Sequence, residues 1–239
     1  AIRTYGETVH TFLDRSGYSG PFAPGFAPAT LTAPPGPAVG LTRYDHVVGN
    51  VEKGRLDDWV EYYCRVLGFD RPVHFDDDQI STQYSALMST LVWNHDSVVL
   101  PINAPAEGLR KSQIEEYLDY YRSPGVQHIA LRTADIVATV RALRDRGVRF
   151  LTVPPEYYED ARERMADVDL PWADLQELGI LVDRDRDGHL LQIFTENVCD
   201  RPTVFFEIIQ REGATGFGAG NFRALFEAIE RAQAARGNL

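Results

Sequence analysis

Three ionisable side chains interrupt apolar, strand-like stretches of this sequence, and together they could bind a metal ion. His46 and His128 each lie in such a stretch, and Glu207 lies in the run TVFFEIIQ at 203–210. A carboxylate buried in a strand is costly unless it is protonated, paired or bound to a cation. Two neutral imidazoles and one carboxylate from three strands form a facial triad, which leaves three coordination positions open on divalent iron.

The alternative is that each histidine is an ordinary core residue and that Glu207 pairs with an arginine. The interval from 46 to 128 is close to the interval from 128 to 207, as expected if repeated units contribute to one site. We therefore predict that the three side chains converge.

The elements that would position these residues form a duplicated pattern. In each copy a strand containing one histidine is followed by an amphipathic helix, which ends at Gly68 in the first copy and Gly147 in the second. The predicted strands of the first copy are 44–51, 72–76, 80–89 and 91–102. Those of the second are 125–133, 149–152, 179–184, 189–195 and 203–210, with a helical segment between 155 and 178.

A further helix is predicted after Ser112, and an amphipathic helix over 220–236 follows a glycine-rich loop. The run DRDRDG at 183–188 begins like a calcium loop, but position twelve is Phe194 rather than Glu, so we predict a hairpin turn. Repeats of this kind usually enclose a shared cavity. The predicted fold is α+β, with paired βαβββ modules at about 41–122 and 123–211 that form a half-open barrel around a metal.

The first 40 residues have a different character. Residues 21–37 hold six of the 14 prolines, which predicts a linker over 21–40. The opening segment alternates like a strand, and the first residue is Ala1 rather than Met. We expect residues 1–20 to be the final strand of an N-terminal βαβββ domain that is mostly absent from this sequence, and 41–239 to be the catalytic domain.

Composition narrows the possible partners. The formal net charge is −11, and Lys53 and Lys111 are the two lysines, which argues against a nucleic-acid partner. The sequence contains no apolar run of about 18 residues, so we expect no membrane association. Two distant cysteines, Cys64 and Cys199, favour a reducing compartment, and we predict a cytoplasmic protein.

Seven ordered blocks of this sequence resemble the 4-hydroxyphenylpyruvate dioxygenase family, which has the vicinal-oxygen-chelate fold. They are HVVGNV at 46–51, LPIN at 100–103, KSQI at 111–114, QHIAL at 127–131, LLQIFT at 190–195, DRPT at 200–203 and GFGAGNF at 216–222. The resemblance runs through the whole chain and corresponds to the C-terminal part of that family's length. It implies Fe(II) bound by His46, His128 and Glu207.

The resemblance also implies a substrate pocket and a gate. The pocket residues are Ser89 (or Ser85 in its place), Asn103, Gln113, Gln127, Gln192, Phe194, Phe205, Asn221 and Phe222. Within this set Gln192, Asn103 and Gln113 are the implied catalytic residues, and the C-terminal helix gates the pocket. Strand alternation makes Gln127 point away from His128, so we also allow it a supporting role behind that ligand.

The activity implied is the conversion of 4-hydroxyphenylpyruvate, a 2-keto acid, and O2 to homogentisate and CO2 in tyrosine breakdown, by a homodimer or homotetramer. One alternative is 4-hydroxymandelate synthase, which shares the fold, metal and substrate. Pro101, Asn103 and Phe194 favour the homogentisate-forming enzyme. The other alternative is a vicinal-oxygen-chelate module that binds a ligand without catalysis.

Overall fold

The computed structural model describes residues 1–28, 36–71, 80–81 and 86–237. For residues 80, 81, 86, 219, 222, 223, 226, 232 and 235 it describes the backbone alone. Within these ranges, no helix has both the length and the apolar character needed to cross a bilayer.

One eight-stranded mixed sheet organises the molecule. Its strands are β3 (Leu41–Asn50), β4 (Ile80–Ser81), β5 (Ala86–Trp93), β6 (Val99–Pro105), β7 (Gly125–Thr133), β8 (Leu181–Arg184), β9 (His189–Phe194) and β10 (Phe205–Glu212). Their order across the sheet is β4-β5-β6-β3-β7-β10-β9-β8. The strand that opens each module pairs in parallel with the strand that closes it, β3 with β6 and β7 with β10. The two opening strands pair with each other in antiparallel fashion, which joins the modules.

The described part of the chain contains six helices. They are α1 (Leu56–Leu67), α2 (Gln113–Tyr121), α3 (Ile136–Asp145), α4 (Glu156–Arg164), α5 (Trp172–Leu178) and α6 (Ala219–Ala235). Gly68 ends α1 in the left-handed conformation that glycine adopts most easily. Ser112 and Glu115 start α2 with a capping box, in which each side chain accepts from the other's backbone N–H.

Helices α1, α3, α4 and α5 cover one face of the sheet, whereas α6 packs on the other face, beside Phe194 and Phe205. In the second module, Leu191, Ile193 and Ile208 pack against α3, α4 and α5. Because side chains alternate along a strand, Gln192 and Glu207 point to the opposite face. In the first module, Ile102 likewise packs against α1, so Asn103 faces the opposite side.

The predicted α+β fold is confirmed, and so are the helices ending at Gly68 and Gly147 and the hairpin between β8 and β9. Two predicted strands were wrong. Residues 91–102 contain the end of β5, a turn and the start of β6. The chain turns there because the Asn94 side chain accepts from the N–H groups of Asp96 and Val98. Residues 149–152 form only a single bridge, at Phe150, and prolines at 154 and 155 cannot continue a ladder. The predicted strand 72–76 lies outside the described residues.

The opening segment also differs from the prediction of one strand. Ile2–Arg3 (β1) and Val9–His10 (β2) pair with each other as a short hairpin, with Gly6 at φ 57° in its turn. Tyr5, in the turn, is buried against Gly49 of β3, where an added Cβ would overlap the Tyr5 hydroxyl. The hairpin therefore packs onto the first module.

Candidate metal centre

Three neighbouring strands bring the three predicted metal ligands together. His46 lies on β3, His128 on β7 and Glu207 on β10. The Nε2 atoms of His46 and His128 lie 3.2 and 3.3 Å from the same carboxylate oxygen, Oε2 of Glu207. One potential ligand atom from each residue lies within 4.8 Å of the other two, and all three side chains are buried. This separation is suited to three donors around one small cation.

A β-bulge precedes each histidine. On β3, Asp45 and His46 together lie opposite the single residue Ala130, and on β7, Gln127 is the extra residue immediately before His128. A bulge interrupts strict alternation and redirects side chains. The prediction that Gln127 points away from His128 was therefore wrong, because the bulge turns both side chains to the same region.

Each bulge places a hydrogen-bond acceptor against the histidine that follows it. Oδ1 of Asp45 lies 2.9 Å from Nδ1 of His46, and Oε1 of Gln127 lies 2.9 Å from Nδ1 of His128. With Nδ1–H donating to these oxygens, the Nε2 lone pairs are directed toward Glu207 and are available to a metal.

The charges of the centre interact strongly. Burial raises the pKa of Glu207, but the neighbouring His46 and His128 outweigh burial and lower it to about 2. Burial lowers the pKa of His46, but Glu207 and Asp45 outweigh burial and hold it above its ordinary value. Burial dominates for His128 and lowers its pKa. A cation at this centre would therefore compete with a proton on His46.

Aromatic rings enclose the centre. The Phe205 ring stacks on His128 at 4.9 Å and 22° between planes, and Phe194 meets the same imidazole edge-on at 6.0 Å. Phe217 meets His46 at 90° with the ring centroids 4.8 Å apart. The rings keep the immediate surroundings of the imidazoles apolar, which strengthens electrostatic interactions there.

Two buried amides lie near these rings. Across the part of the chain that the structure describes, neither amide atom of Gln192 has a hydrogen-bond partner. Asn221 is buried, and its Oδ1 accepts from the Tyr157 hydroxyl at 2.6 Å while its Nδ2 has no partner in the described part. A buried polar group without a partner is costly, so both residues are suited to bind a polar ligand.

The remaining predicted pocket residues lie on both sides of the centre. Asn103 on β6 is buried, and half-buried Ser89 on β5 is its cross-strand partner. Gln113 and Gln127 line one small cavity together with Phe205. The Phe222 side chain and Ser85 lie outside what the structure describes. A larger cavity of about 890 Å³ has Phe217 in its wall and opens at the β8–β9 hairpin.

Sequence reasoning missed four side chains at the centre, of which Phe217 has been described above. Asp45 contacts His46, and Arg211 contacts Asp45. Asn50 is fully buried on β3 next to Asn103 of β6, and its amide has no partner among the described residues. Arg211 could have been found, because alternation places residue 211 on the same face of β10 as Glu207.

Comparisons with known proteins agree with this geometry. Residues 43–193 match the family model described as Glyoxalase/Bleomycin resistance protein/Dioxygenase superfamily. The chain is 50% identical, over its whole length, to 4-hydroxyphenylpyruvate dioxygenases of Yarrowia lipolytica and Caenorhabditis elegans, and it covers 63% of each. It is 52% identical to that of Dictyostelium discoideum over 98% of this chain and 66% of the relative. The chain thus spans less than two thirds of these relatives, and the family resemblance is confirmed.

Two solved structures are also similar to this chain in sequence and fold. A variant of 4-hydroxymandelate synthase from Streptomyces coelicolor is 39% identical with a TM-score of 0.72, over 80% of this chain and 54% of that chain. A fusion of a xylose isomerase-like TIM barrel with 4-hydroxyphenylpyruvate dioxygenase is 30% identical with a TM-score of 0.63, over 80% of this chain and 29% of that chain.

The purified protein is expected to bind one divalent ion and to gain stability from it. At a metal concentration of about 100 times Kd, the free energy of unfolding should rise by about 2.7 kcal/mol. Glu207→Gln should remove this gain, since an amide is a poor ligand, whereas the exposed Glu212→Gln on the same strand should keep it. Thermal unfolding with and without Co(II) measures both. Equal gains in the two variants would contradict the site.

Metal affinity is expected to fall as the pH is lowered from 8 to 6. Metal binding must displace the proton of His46, whose pKa is raised, while Glu207 is ionised throughout and His128 is neutral. Below the His46 pKa, Kd should therefore increase by about tenfold per pH unit, which corresponds to one released proton. Calorimetric titration in buffers of different ionisation enthalpy counts that proton. A count that stays at zero as the pH is lowered, or that reaches two, would contradict the assignment.

Proposed function

Because this chain belongs to the Glyoxalase/Bleomycin resistance protein/Dioxygenase superfamily, we propose that it is an iron(II)-dependent dioxygenase that converts 4-hydroxyphenylpyruvate and O2 to homogentisate and CO2. The observation that carries the proposal is the convergence of His46, His128 and Glu207 at the buried centre of the sheet. About 50% identity to curated 4-hydroxyphenylpyruvate dioxygenases supports the choice of substrate.

The donor set fits ferrous iron. Two imidazole nitrogens and one carboxylate oxygen are the ligands of non-haem iron oxygenases, and bound iron(II) would supply open positions for a 2-keto acid and dioxygen. Asp45 and Gln127 hold the imidazoles with Nε2 directed inward. Glu207 supplies one negative charge against the two positive charges of the metal, so the centre attracts an anionic substrate although the net charge is −11.

The surrounding side chains suit an aromatic 2-keto acid. Phe194 and Phe205, edge to face at 6.1 Å, form an apolar wall for the ring beside His128. The buried amides of Gln192 and Asn221 offer donors and acceptors to the phenolic hydroxyl. The protein's contribution is thus to orient the substrate and exclude water. Asn103 on β6 and Gln113, which lines a small cavity with Phe205, are proposed to assist.

Of the two alternative functions, one has support from a solved structure and the other is disfavoured by the geometry of the site. The solved neighbour named as a 4-hydroxymandelate synthase variant keeps that activity as a second candidate. A non-catalytic binding module is disfavoured, because burying two imidazoles 3.2 and 3.3 Å from one carboxylate oxygen is costly and such a module has no need of it. A homo-oligomer is a further proposal that rests on the resemblance, and a cytoplasmic location is one that rests on the two distant cysteines.

Product analysis tests the proposed function. Protein loaded anaerobically with Fe(II) is given 4-hydroxyphenylpyruvate and O2, and we expect homogentisate and CO2 in equal amounts, with oxygen uptake that depends on iron. Predominant 4-hydroxymandelate would favour the alternative enzyme. If the loaded protein binds the keto acid but takes up no oxygen, the non-catalytic module would be the better interpretation.

Gln192→Met is expected to impair turnover without weakening the metal site. Methionine has a similar length but cannot bond the phenol, and a lost hydrogen bond to a buried polar group costs about 1.5–3 kcal/mol, or roughly 10- to 100-fold in kcat/KM. Steady-state kinetics measures the loss and a chelator competition measures iron affinity. The exposed Gln176→Met is the control. An unchanged kcat/KM, or a loss shared by Gln176→Met, would exclude Gln192 from the pocket.

A further inference from the structure

A buried ion pair lies directly behind one of the metal ligands. Arg211 donates from Nε to Oδ2 of Asp45 at 2.9 Å and from Nη2 to Oδ1 at 2.8 Å. The side chains of Arg211 and Asp45 are 8% and 7% exposed. Oδ1 of Asp45 also accepts from Nδ1 of His46. The three residues thus form a chain of charge-assisted contacts that ends at a metal-binding nitrogen.

Arg211 also holds the segment that leads to α6. Its Nη1 donates to the carbonyl oxygens of Ala214, at 3.3 Å, and Gly216. Its guanidinium lies 5.2 Å from the centre of the Phe217 ring. That ring also contacts His46. Arg211 is therefore connected to His46 in two ways, through Asp45 and through Phe217.

The two repeats differ in this feature. In the second repeat the residue behind the ligand is Gln127, so Nδ1–H of His128 donates to a neutral amide oxygen. In the first repeat the partner Asp45 carries a charge that a two-point contact with Arg211 fixes in position. A carboxylate behind an imidazole fixes the ring and makes it a stronger ligand.

We propose that Arg211 is a positioning residue for the metal centre, which acts through Asp45 to hold the His46 imidazole in its ligating orientation. The inference rests on the proposed metal site and is independent of the substrate. Without Arg211, the buried Asp45 carboxylate would lose its two-point partner and would turn toward solvent or take up a proton. His46 would then lose the acceptor that fixes its ring.

A second arginine provides a matched control. Nη1 of Arg132 lies 3.9 Å from Oδ2 of Asp45, and its side chain is 30% exposed. It contributes positive charge near Asp45 but makes a longer contact than Arg211. Replacing Arg132 therefore tests whether nearby charge is sufficient or whether the close two-point contact is required.

The experiment is a double-mutant cycle on metal affinity. Fe(II) dissociation constants are measured anaerobically by chelator competition for the wild type, Arg211→Gln, Asp45→Asn, the double variant and Arg132→Gln. Each of the first two single variants should bind iron about 10- to 100-fold more weakly. The double variant should be no weaker than Asp45→Asn by more than about twofold, because Arg211 acts through Asp45. Arg132→Gln should stay within about threefold of the wild type.

A spectroscopic readout separates positioning from general stability. The visible absorption of bound Co(II) reports ligand geometry, and it should change in Arg211→Gln and Asp45→Asn while Arg132→Gln resembles the wild type. Wild-type affinity and spectrum in Arg211→Gln would overturn the inference, and so would additive losses in the double variant. If Arg211→Gln does not fold, Arg211→Lys decides, since it keeps the charge but loses the two-point contact, and wild-type values there would overturn the inference.

Failure of the proposed function gives a different result. If the wild type binds no metal, the metal site itself is wrong and the inference falls with it. If the wild type binds iron with the expected affinity but forms no homogentisate, the proposed reaction is wrong, and the cycle on metal affinity still decides the role of Arg211.

Discussion

The burial of two imidazoles and a carboxylate at the junction of the two modules is the constraint that the rest of the structure accommodates. A lone carboxylate such as Glu207, 2% exposed, would destabilise the sheet. Its neighbours His46 and His128 compensate it, and they can do so because β3, β7 and β10 are adjacent. The strand order, with the two opening strands paired at the centre, is thus also what forms the site.

The duplicated modules share a β-bulge at the metal-binding histidine in addition to their strand pattern. In each, a bulge allows the residue before the histidine to reach the imidazole Nδ1, so both rings present Nε2 to Glu207. The copies differ in charge, with Asp45 in one and Gln127 in the other. This difference agrees with the opposite directions in which the pKa values of the two histidines move.

The metal ligands and the helices could be predicted from the sequence, whereas the local irregularities of the strands could not. The three ligands were identifiable because ionisable groups in apolar strands need compensation, and helices were identifiable from spacing and from Gly68. The bulge before His128 was not, because alternation carries no sign of an extra residue, and so Gln127 was directed to the wrong face. The turn that starts at Asn94 was missed as well, although residues 94–97 are all polar, because the prediction joined the apolar residues on either side of them into one strand. The turn depends on the Asn94 side chain accepting from two backbone N–H groups.

The acidic hairpin between β8 and β9 resembles the start of a calcium loop, but its carboxylates bind backbone N–H groups of the chain near the start of α6. Asp183 accepts from Gly220 N–H at 2.7 Å, and Asp185 accepts from Gly216 N–H at 2.6 Å, so the carboxylates fix the segment that starts α6. This segment must approach closely, because an added Cβ at Gly218 would lie 2.5 Å from Nε2 of Gln192. With Arg211 holding the same segment from the metal side, its position is set jointly by the hairpin and by the ion pair behind His46. The side chains that hold this segment thus belong both to the hairpin and to the ion pair behind His46, and the segment they hold lies directly against Gln192.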